Sequence, residues 1–410
     1  MSVHRPKTRR GQVPLGKTSL EQFMRRHWQR APLVVRNAVP EASGLFDIDA
    51  VLEMSTRDEV ESRLVQLRGS RRWLADGPFD ASEIPSLATP RWTALVQGVD
   101  LHLPAGRALL DRFRFVPDVR LDDLMISVAG DGGGVGPHAD QYDVFLLQLE
   151  GIREWRIAPP GDWPLRAGEP LRIIDGFCPA ESHHLEAGDM LYLPPGWAHD
   201  GIARGPCMTA SIGFRSPART ELLDAFFEWL AEGNGRAEQP GQHPGERYTD
   251  VGSRPTSNPG RIPPGMMTAL RQWIDGWRPE RTATEQFIGS FLTEPKADVW
   301  FEPPRRPLTR ARFIERARHN GLILDRRTRA AYTGERFFIN GEAYRANHPG
   351  FVTWLRALVD RRHLPPEVVG RFIDSISDAG TEFDTIVYAA YRFGWIHPVP
   401  GGARRKTDPV

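Results

Sequence analysis

The sequence predicts an α+β protein: an antiparallel β-barrel or sandwich, then a helical stretch, then a smaller winged-helix-like unit. Three observations carry this. Between Leu121 and Phe214, short apolar strands alternate with Gly/Pro turns at spacings that suit antiparallel strands and leave no room for βα units. From Ser216 onward the apolar residues switch to helical spacing, and Leu222, Leu223, Phe226, Phe227 and Leu230 form a stripe. Beyond residue 296, helical segments surround Phe337-Phe338-Ile339 followed by Asn340-Gly341, a strong signal for a two-residue hairpin.

Taken in order, residues 18–30 read as a helix. Thr18 or Ser19 caps it, Glu21 or Gln22 closes a capping box, and Leu20, Phe23, Met24 and His27 share a face. Pro32 stops it before a short strand, Leu33-Val34-Val35. Val60 to Leu67 and Trp73-Leu74 are further strands around a Gly69-Ser70 turn. In the barrel region the strands are expected at 124–129, 143–150, 154–158, 171–174, 190–194 and 207–214. Ser216 is the expected cap of the next helix, with Pro217 in its first turn and Gly233 at its end. Residues 234–264, rich in Gly, Pro and polar side chains, read as a linker, followed by helices near 266–277 and 282–292. The last unit holds helices near 309–320, 350–361, 365–377 and 383–393. No repeat at solenoid spacing is present.

The totals bound the function. A chain of 410 residues suits two or three domains. Lys and Arg total 53 against 52 Asp and Glu, so a protein that coats nucleic acid over its whole surface is disfavoured; a local basic patch is not. Cys178 and Cys207 form no C-x-x-C motif and cannot staple so long a chain, which points to a reducing cytoplasm. No apolar run approaches the ~18 residues of a membrane span. The start of the chain is basic without an apolar segment behind it, so it reads as a tail and not as a secretory signal.

The chemistry is concentrated in Gly132-Gly133-Gly134-Val135-Gly136-Pro137-His138-Ala139-Asp140. Side chains at i and i+2 of an extended segment point the same way, so His138 and Asp140 face one point. A third ligand comes from Gly188-Asp189-Met190-Leu191-Tyr192-Leu193-Pro194-Pro195-Gly196, where a turn, a buried strand and a sharp bend deliver His199. Two His and one carboxylate on one face of a metal leave three positions open, the facial triad of non-haem Fe(II) oxygenases; a structural zinc site is closed by four ligands. His183 and His184, in a polar stretch before a turn, read as exposed loop histidines. A dicarboxylate cosubstrate needs a cation for its far end, and Arg153 offers a two-pronged donor. With Arg156 nearby, a solvent-facing Arg153 stays equally open. Asp123, Met125 and Ser127 alternate along one strand and share a face. An inward Asp123 suits a cationic substrate, with Asp122 the outward alternative; an ordinary strand-start aspartate is the competing reading.

These residues resemble a known family. Asp123-Leu124-Met125-Ile126-Ser127, the run from Gly132 to Asp140, Gln141-Tyr142-Asp143-Val144-Phe145, the segment Gly188 to Gly196 with His199, and Gly213-Phe214-Arg215-Ser216-Pro217 look like the bacterial JmjC-type ribosomal oxygenases. The resemblance covers about residues 15–295 well and the C-terminal unit in outline. It implies a double-stranded β-helix (cupin/JmjC) domain over 1–215, a helical dimerisation region over 216–295 and a winged-helix-like domain over 296–410. It implies iron held by His138, Asp140 and His199, with 2-oxoglutarate and O2 as cosubstrates. Arg153 then binds the distal carboxylate of 2-oxoglutarate, with Ser127 assigned beside it. Asp123, Met125, Tyr142 and Ser211 hold the substrate, an arginine of large-subunit ribosomal protein L sixteen, which is hydroxylated at its β-carbon. A homodimer in the cytoplasm is expected. Ala139, Ala129 and Asp131 depart from the family pattern, which bears on substrate fine-tuning and not on the metal.

Two other readings are open at this point. A JmjC enzyme with the same metal can hydroxylate His or Asn, or demethylate Lys with release of formaldehyde. A winged-helix nucleic-acid-binding protein with a non-catalytic cupin is the reading of another class. From Arg305 to Ala330 there are nine Arg against Glu315 and Asp325, and Arg305, Arg312 and Arg316 can line one face for weak RNA contact.

Overall fold

In the computed structural model, residues 13–232, 263–276, 281–375 and 380–400 are described. The basic tail, Gly233 and nearly all of the 234–264 stretch lie outside them. The apolar residues Met266, Met267, Leu270, Trp273, Ile274 and Trp277 suggest a helix–helix interface from sequence; Trp277 lies outside the described residues, and of Trp273 and Ile274 only the backbone is described.

The Ser19 hydroxyl accepts the Gln22 backbone N–H at 3.2 Å, and the Gln22 side chain accepts that of Ser19 at 3.3 Å. This capping box starts α1 (Leu20–Arg26). Phe23 alone of its expected apolar face is buried, while Leu20 and Met24 are exposed. Next come β1 (Leu33–Val35), α2 (Ile48–Met54), β2 (Ser62–Arg68), β3 (Arg71–Asp76), β4 (Trp92–Val96), α3 (Val99–His102) and α4 (Pro104–Leu110). The last three carry little signal in the sequence: β4 is five residues with a single outward position, and α3 and α4 are short.

The barrel region contains β5 (Leu121–Ala129), β6 (His138–Ala139), β7 (Asp143–Ala158), β8 (Glu181–Glu186), β9 (Met190–Leu193) and β10 (Ala198–Phe214). All pair antiparallel in the order β1-β9-β7-β10-β5-β4-β2-β3, with β6 on β10 and β8 on β7. The two runs expected at 143–150 and 154–158 are one strand. Gly151, at φ +67°, turns the corner between them, and the ladder to β10 shifts register across the same corner.

Two expectations fail here. Residues 171–174 form no strand, only a bridge between Leu165 and Ile174. Instead β8 lies along β7, carrying His183 and His184, so these histidines are on a strand and not in a loop. Its side chains are mostly exposed and polar, so no apolar alternation marks it. His183 contacts Glu181 at 3.0 Å.

Phe23, Phe113, Phe145, Tyr192 and Phe214 bury a continuous aromatic cluster between α1 and the sheet. At roughly 2–3 kcal/mol for each fully buried large side chain, this cluster contributes much of what anchors the helices to the barrel. The Tyr192 hydroxyl donates to Asp143 at 2.6 Å and accepts the Gln29 backbone N–H at 2.8 Å, fastening the end of α1 to β7 and β9.

The next helix, α5 (Arg219–Ala231), starts later than expected. Ala218 and not Ser216 is its cap, because Glu221 reaches back to accept the Ala218 N–H at 3.2 Å. Leu230 is buried and Phe226 packs on Phe287 at 5.0 Å, whereas Leu223 and Phe227 remain exposed. Phe287 belongs to α7 (Arg281–Thr293), which follows α6 (Pro264–Gly276).

The C-terminal unit comprises α8 (Arg310–Asn320), β11 (Leu322–Leu324), β12 (Ala330–Thr333), β13 (Arg336–Ile339), β14 (Glu342–Arg345), α9 (Pro349–Arg361), β15 (His363–Leu364) and α10 (Pro366–Ser375). It ends with α11 (Gly380–Phe383), a π-helical turn over Asp384–Tyr388, α12 (Ala389–Arg392) and β16 (Ile396–Pro398). Asn340 and Gly341, at φ +50° and +85°, make the β13–β14 turn the sequence predicts. A second core, including Phe313, Phe337, Phe351, Leu355 and Phe383, is its own. Together the barrel and this unit give the α+β architecture expected. Among the described residues no helix is long and apolar enough to cross a membrane.

Candidate metal centre

The Gly-rich lead-in has to run flat against β10. A Cβ on Gly134 would lie 2.2 Å from the Gly201 carbonyl oxygen, so only glycine permits this approach. The loop then enters β6, where His138 pairs with His199 and Ala139 with Ala198. From the other side, Pro194-Pro195-Gly196 bends the chain so that the Gly196 N–H donates to the Asp140 carbonyl at 2.7 Å. Two distant segments are thus tied together at the ligand positions themselves.

His138, Asp140 and His199 bring one donor atom each within 4.8 Å of one another. The Asp140 Oδ2 lies 3.6 Å from His199 Nε2 and 4.0 Å from His138 Nε2. Each ring is oriented by its other nitrogen. His138 Nδ1 is 2.8 Å from the Gly136 carbonyl and His199 Nδ1 is 3.0 Å from that of Trp197. A carbonyl accepts only, so each Nδ1 carries the proton and each Nε2 presents a lone pair to the shared point. Burial first, and the neighbouring His138 second, push His199 down to about 4, against the pull of Asp140. A neutral His199 at neutral pH is what metal ligation requires. His183 and His184 take no part.

Arg153, Trp155 and Ile157 alternate on one face of β7, and the Trp155 ring lies 5.9 Å from that of His199. Arg153 is 4% exposed, and its Nε has no hydrogen-bond partner among the described residues. Its Nη2 reaches only the Cys207 Sγ at 3.5 Å. A buried guanidinium without a carboxylate is costly by several kcal/mol, so the site is built to receive an anion. Arg156, by contrast, faces outward and pairs with Glu154 at 2.9 Å. Of the two arginines, Arg153 is thus the one turned inward. The residues present therefore fit both a divalent metal and a dicarboxylate.

Of the remaining expected residues, Asp123, Met125, Ser127 and Ser211 lie on barrel strands, and Tyr142 lies between β6 and β7. Met125 pairs with Ser211, and Ser211 with Leu146; Ser127 pairs with Thr209, and Thr209 with Gln148. Ser127 is buried and its hydroxyl lies 3.4 Å from the Thr209 carbonyl. Tyr142 is exposed just after the ligand pair, and partial burial together with Asp140 and Asp123 pushes its phenol up. Asp123 stands at the outer end of β5 and is not free: Lys296 lies 3.4 Å from it and 3.3 Å from Asp122. Burial above all pushes Asp123 up to about 6; Lys296 pulls against this, and Asp122 and Asp100 add to it.

Two groups of the site have little or no signature in sequence. Gln148 and Thr209 are buried inside the barrel, with the Thr209 hydroxyl donating to the Gln148 side chain at 2.8 Å. A lone glutamine in the apolar run Val144 to Leu149 is the available signal. Lys296 has none, being 173 residues from Asp123 along the chain.

Barrel, triad and buried arginine together define the JmjC class of cupin oxygenases. Comparison with known proteins agrees: residues 108–222 match the JmjC domain family and residues 271–386 the ROXA-like winged helix. The chain is 32% identical over 329 residues to the ribosomal protein uL16 3-hydroxylase of Escherichia coli, covering 80% of this chain and 85% of that one. It is 35% identical over 211 residues to a probable ribosomal oxygenase of Haemophilus influenzae, covering 50% and 51%. The crystal structure of E. coli YcfD superposes with a TM-score of 0.79 at 30% identity, covering 93% and 98%. A structure of YcfD in complex with cobalt and 2-oxoglutarate superposes with a TM-score of 0.77 at 29% identity, covering 94% and 98%. The chain belongs to the ribosomal oxygenase family of JmjC-domain proteins, the 2-oxoglutarate-dependent oxygenases.

Proposed function

We propose that this protein hydroxylates an arginine side chain, at the β-carbon, of large-subunit ribosomal protein L sixteen in the cytoplasm. The observation that carries the chemistry is the pairing of an open two-histidine, one-carboxylate face with a buried arginine that has no carboxylate among the described residues. His138, Asp140 and His199 would hold Fe(II), and Arg153, with Ser127 beside it, the far carboxylate of 2-oxoglutarate. Bound iron with 2-oxoglutarate and O2 supplies the oxidising power for C–H hydroxylation, with succinate and CO2 as by-products. The chain itself positions the groups. Nδ1 contacts fix both imidazoles, the buried Trp155 would help to exclude water, and Arg153 would hold the far carboxylate of the cosubstrate. Asp123 would orient the substrate guanidinium through charge-assisted hydrogen bonds, flanked by Met125, Tyr142 and Ser211. The cationic preference of Asp123 favours arginine over a neutral His or Asn, and the name of the E. coli relative, ribosomal protein uL16 3-hydroxylase, supports a ribosomal-protein substrate.

The same reading divides the chain into a cupin domain to about 215, a helical dimerisation region to about 295 and the winged-helix-like domain. Exposed Leu223, Phe227, Met267 and Leu270 support a homodimer through the helical region. Arg305, Arg312 and Arg316, all exposed, support weak RNA contact; Arg310 and Arg318 are already paired with Asp384 and Asp374.

The test is succinate formation with Fe(II), 2-oxoglutarate and air, adding a ribosomal-protein L sixteen fragment and then the fragment with its arginine replaced. Arginine-dependent turnover with a mass gain of one oxygen is expected. Turnover without a mass gain would retain the oxygenase and reject this substrate. No turnover in iron-loaded protein would favour a non-catalytic cupin.

A further inference from the structure

The acceptor assigned to the substrate's cation is already occupied by one from the same chain. The Lys296 ammonium bridges Asp122 at 3.3 Å and Asp123 at 3.4 Å. It comes from the segment joining α7 to α8, just after Pro295. Its side chain is 35% exposed and that of Asp123 only 13%, so the ammonium stands between solvent and the deeper carboxylate.

The choice of residue carries information. The chain has four lysines, at 7, 17, 296 and 406, against 49 arginines. Where this protein needs a fixed ion pair it uses arginine, as in Arg114–Asp118, Arg120–Asp143 and Arg327–Asp325. Against Asp122 and Asp123 it uses lysine. An ammonium is a point charge on a flexible stem; a guanidinium is a planar fork that matches a carboxylate with two bonds. An incoming guanidinium therefore outcompetes Lys296 on Asp123, whereas an arginine at 296 would compete on equal terms. Leaving Asp123 does not strand the ammonium, because Asp122 still holds it. A cavity of about 510 Å³ lined by Asp123, Lys296, Glu59, Glu61 and Arg327 leaves room for the stem to swing. A neutral side chain exchanges with Lys296 only at a cost, since Asp123 would then have to stay charged without a cation or take up a proton.

We propose that Lys296 is a resident cation that holds Asp123 until the substrate's guanidinium displaces it, which makes Lys296 a specificity-determining residue of the site. The inference rests on Asp123 as the acceptor of the substrate cation.

The experiment compares wild type, K296M, K296R and D123N, each loaded with Fe(II), and measures KM for the L sixteen fragment and for a fragment carrying citrulline in place of the arginine. KM for 2-oxoglutarate and thermal melting report whether the site and fold are intact. Removing the competitor should lower the fragment KM in K296M by about 5-fold, and the tighter fork in K296R should raise it about 5-fold, the size of one partly exposed ion pair of ~1 kcal/mol. Citrulline should be discriminated against less in K296M than in wild type. A purely structural ion pair gives the reverse order: K296R behaves like wild type, K296M raises KM, and the proposal is overturned. If D123N leaves the fragment KM unchanged, the acceptor assignment itself fails. A raised KM in D123N with no opposite effects at Lys296 removes the gate alone.

Discussion

Arg153 shows how one side chain can announce a ligand. Folding places a guanidinium where water is scarce and gives it, among the described residues, neither a carboxylate nor a partner for its Nε. Evolution of such a site for stability alone would favour an apolar residue of similar volume. A guanidinium presents a planar fork that matches both oxygens of a carboxylate, whereas an ammonium acts as a point charge. Arg153→Ala should raise the KM for 2-oxoglutarate by roughly 10–100-fold, the value of losing a charge-assisted two-pronged contact. Because no carboxylate among the described residues pairs with the buried guanidinium, its removal should leave the melting temperature, measured without added 2-oxoglutarate, unchanged or higher. A melting temperature that falls by many degrees would mean that Arg153 is structural. Asp123 makes the complementary case: burial pushes this carboxylate up to about 6, and the Lys296 ammonium at 3.4 Å favours its charged form.

At the scale of elements, the metal centre depends on two segments meeting on β10. The Gly-rich loop is held by backbone hydrogen bonds from Gly132 to Ala203 and from Ala203 to Gly133, and the Pro-Pro-Gly bend by the hydrogen bond from Gly196 to Asp140. The requirement at Gly134 is steric and not conformational, because the clash would be with backbone that cannot step aside. Gly134→Ala should push the loop off β10 and misplace His138 and Asp140 together. Titration with Co(II) should show affinity reduced by about 10–100-fold, comparable to the loss of an orienting partner of a metal ligand. Unchanged affinity would show that β6 keeps its place without the loop.

For the whole molecule, the helices after the barrel expose what a monomer ordinarily hides. Phe227 on α5 and Met267 on α6 are 58% and 48% exposed, and Leu223 and Leu270 lie on the same two helices. Phe226, one residue away, is engaged with Phe287. Such apolar area needs a covering surface. If the proposed homodimer forms through this face, wild type should sediment as a dimer and Phe227→Glu as a monomer at micromolar concentration, with the barrel still folded by far-UV circular dichroism. A wild-type protein that sediments as a monomer would refute the dimer.

What neighbouring residues settle among themselves is legible in the sequence. His138 and Asp140 lie two apart in extended chain, and the turn chemistry of Pro194-Pro195-Gly196 aims the following strand. Asn340-Gly341 specifies its own hairpin, since both residues accept positive φ. Ser19 and Gln22 cap a helix within four residues. Such features depend on neighbours along the chain, so the sequence by itself determined them. Tertiary structure alone decided the rest. Strand β8 has no apolar alternation and exists because β7 offers it an edge. Runs 143–150 and 154–158 fuse only because β10 continues alongside both. Gln148 meets Thr209, and Lys296 meets Asp123, across 61 and 173 residues of chain. The physical reason is the same in each case: a hydrogen bond or ion pair leaves its mark on local sequence only when its partner is local, and these partners are brought together by the packing of the fold.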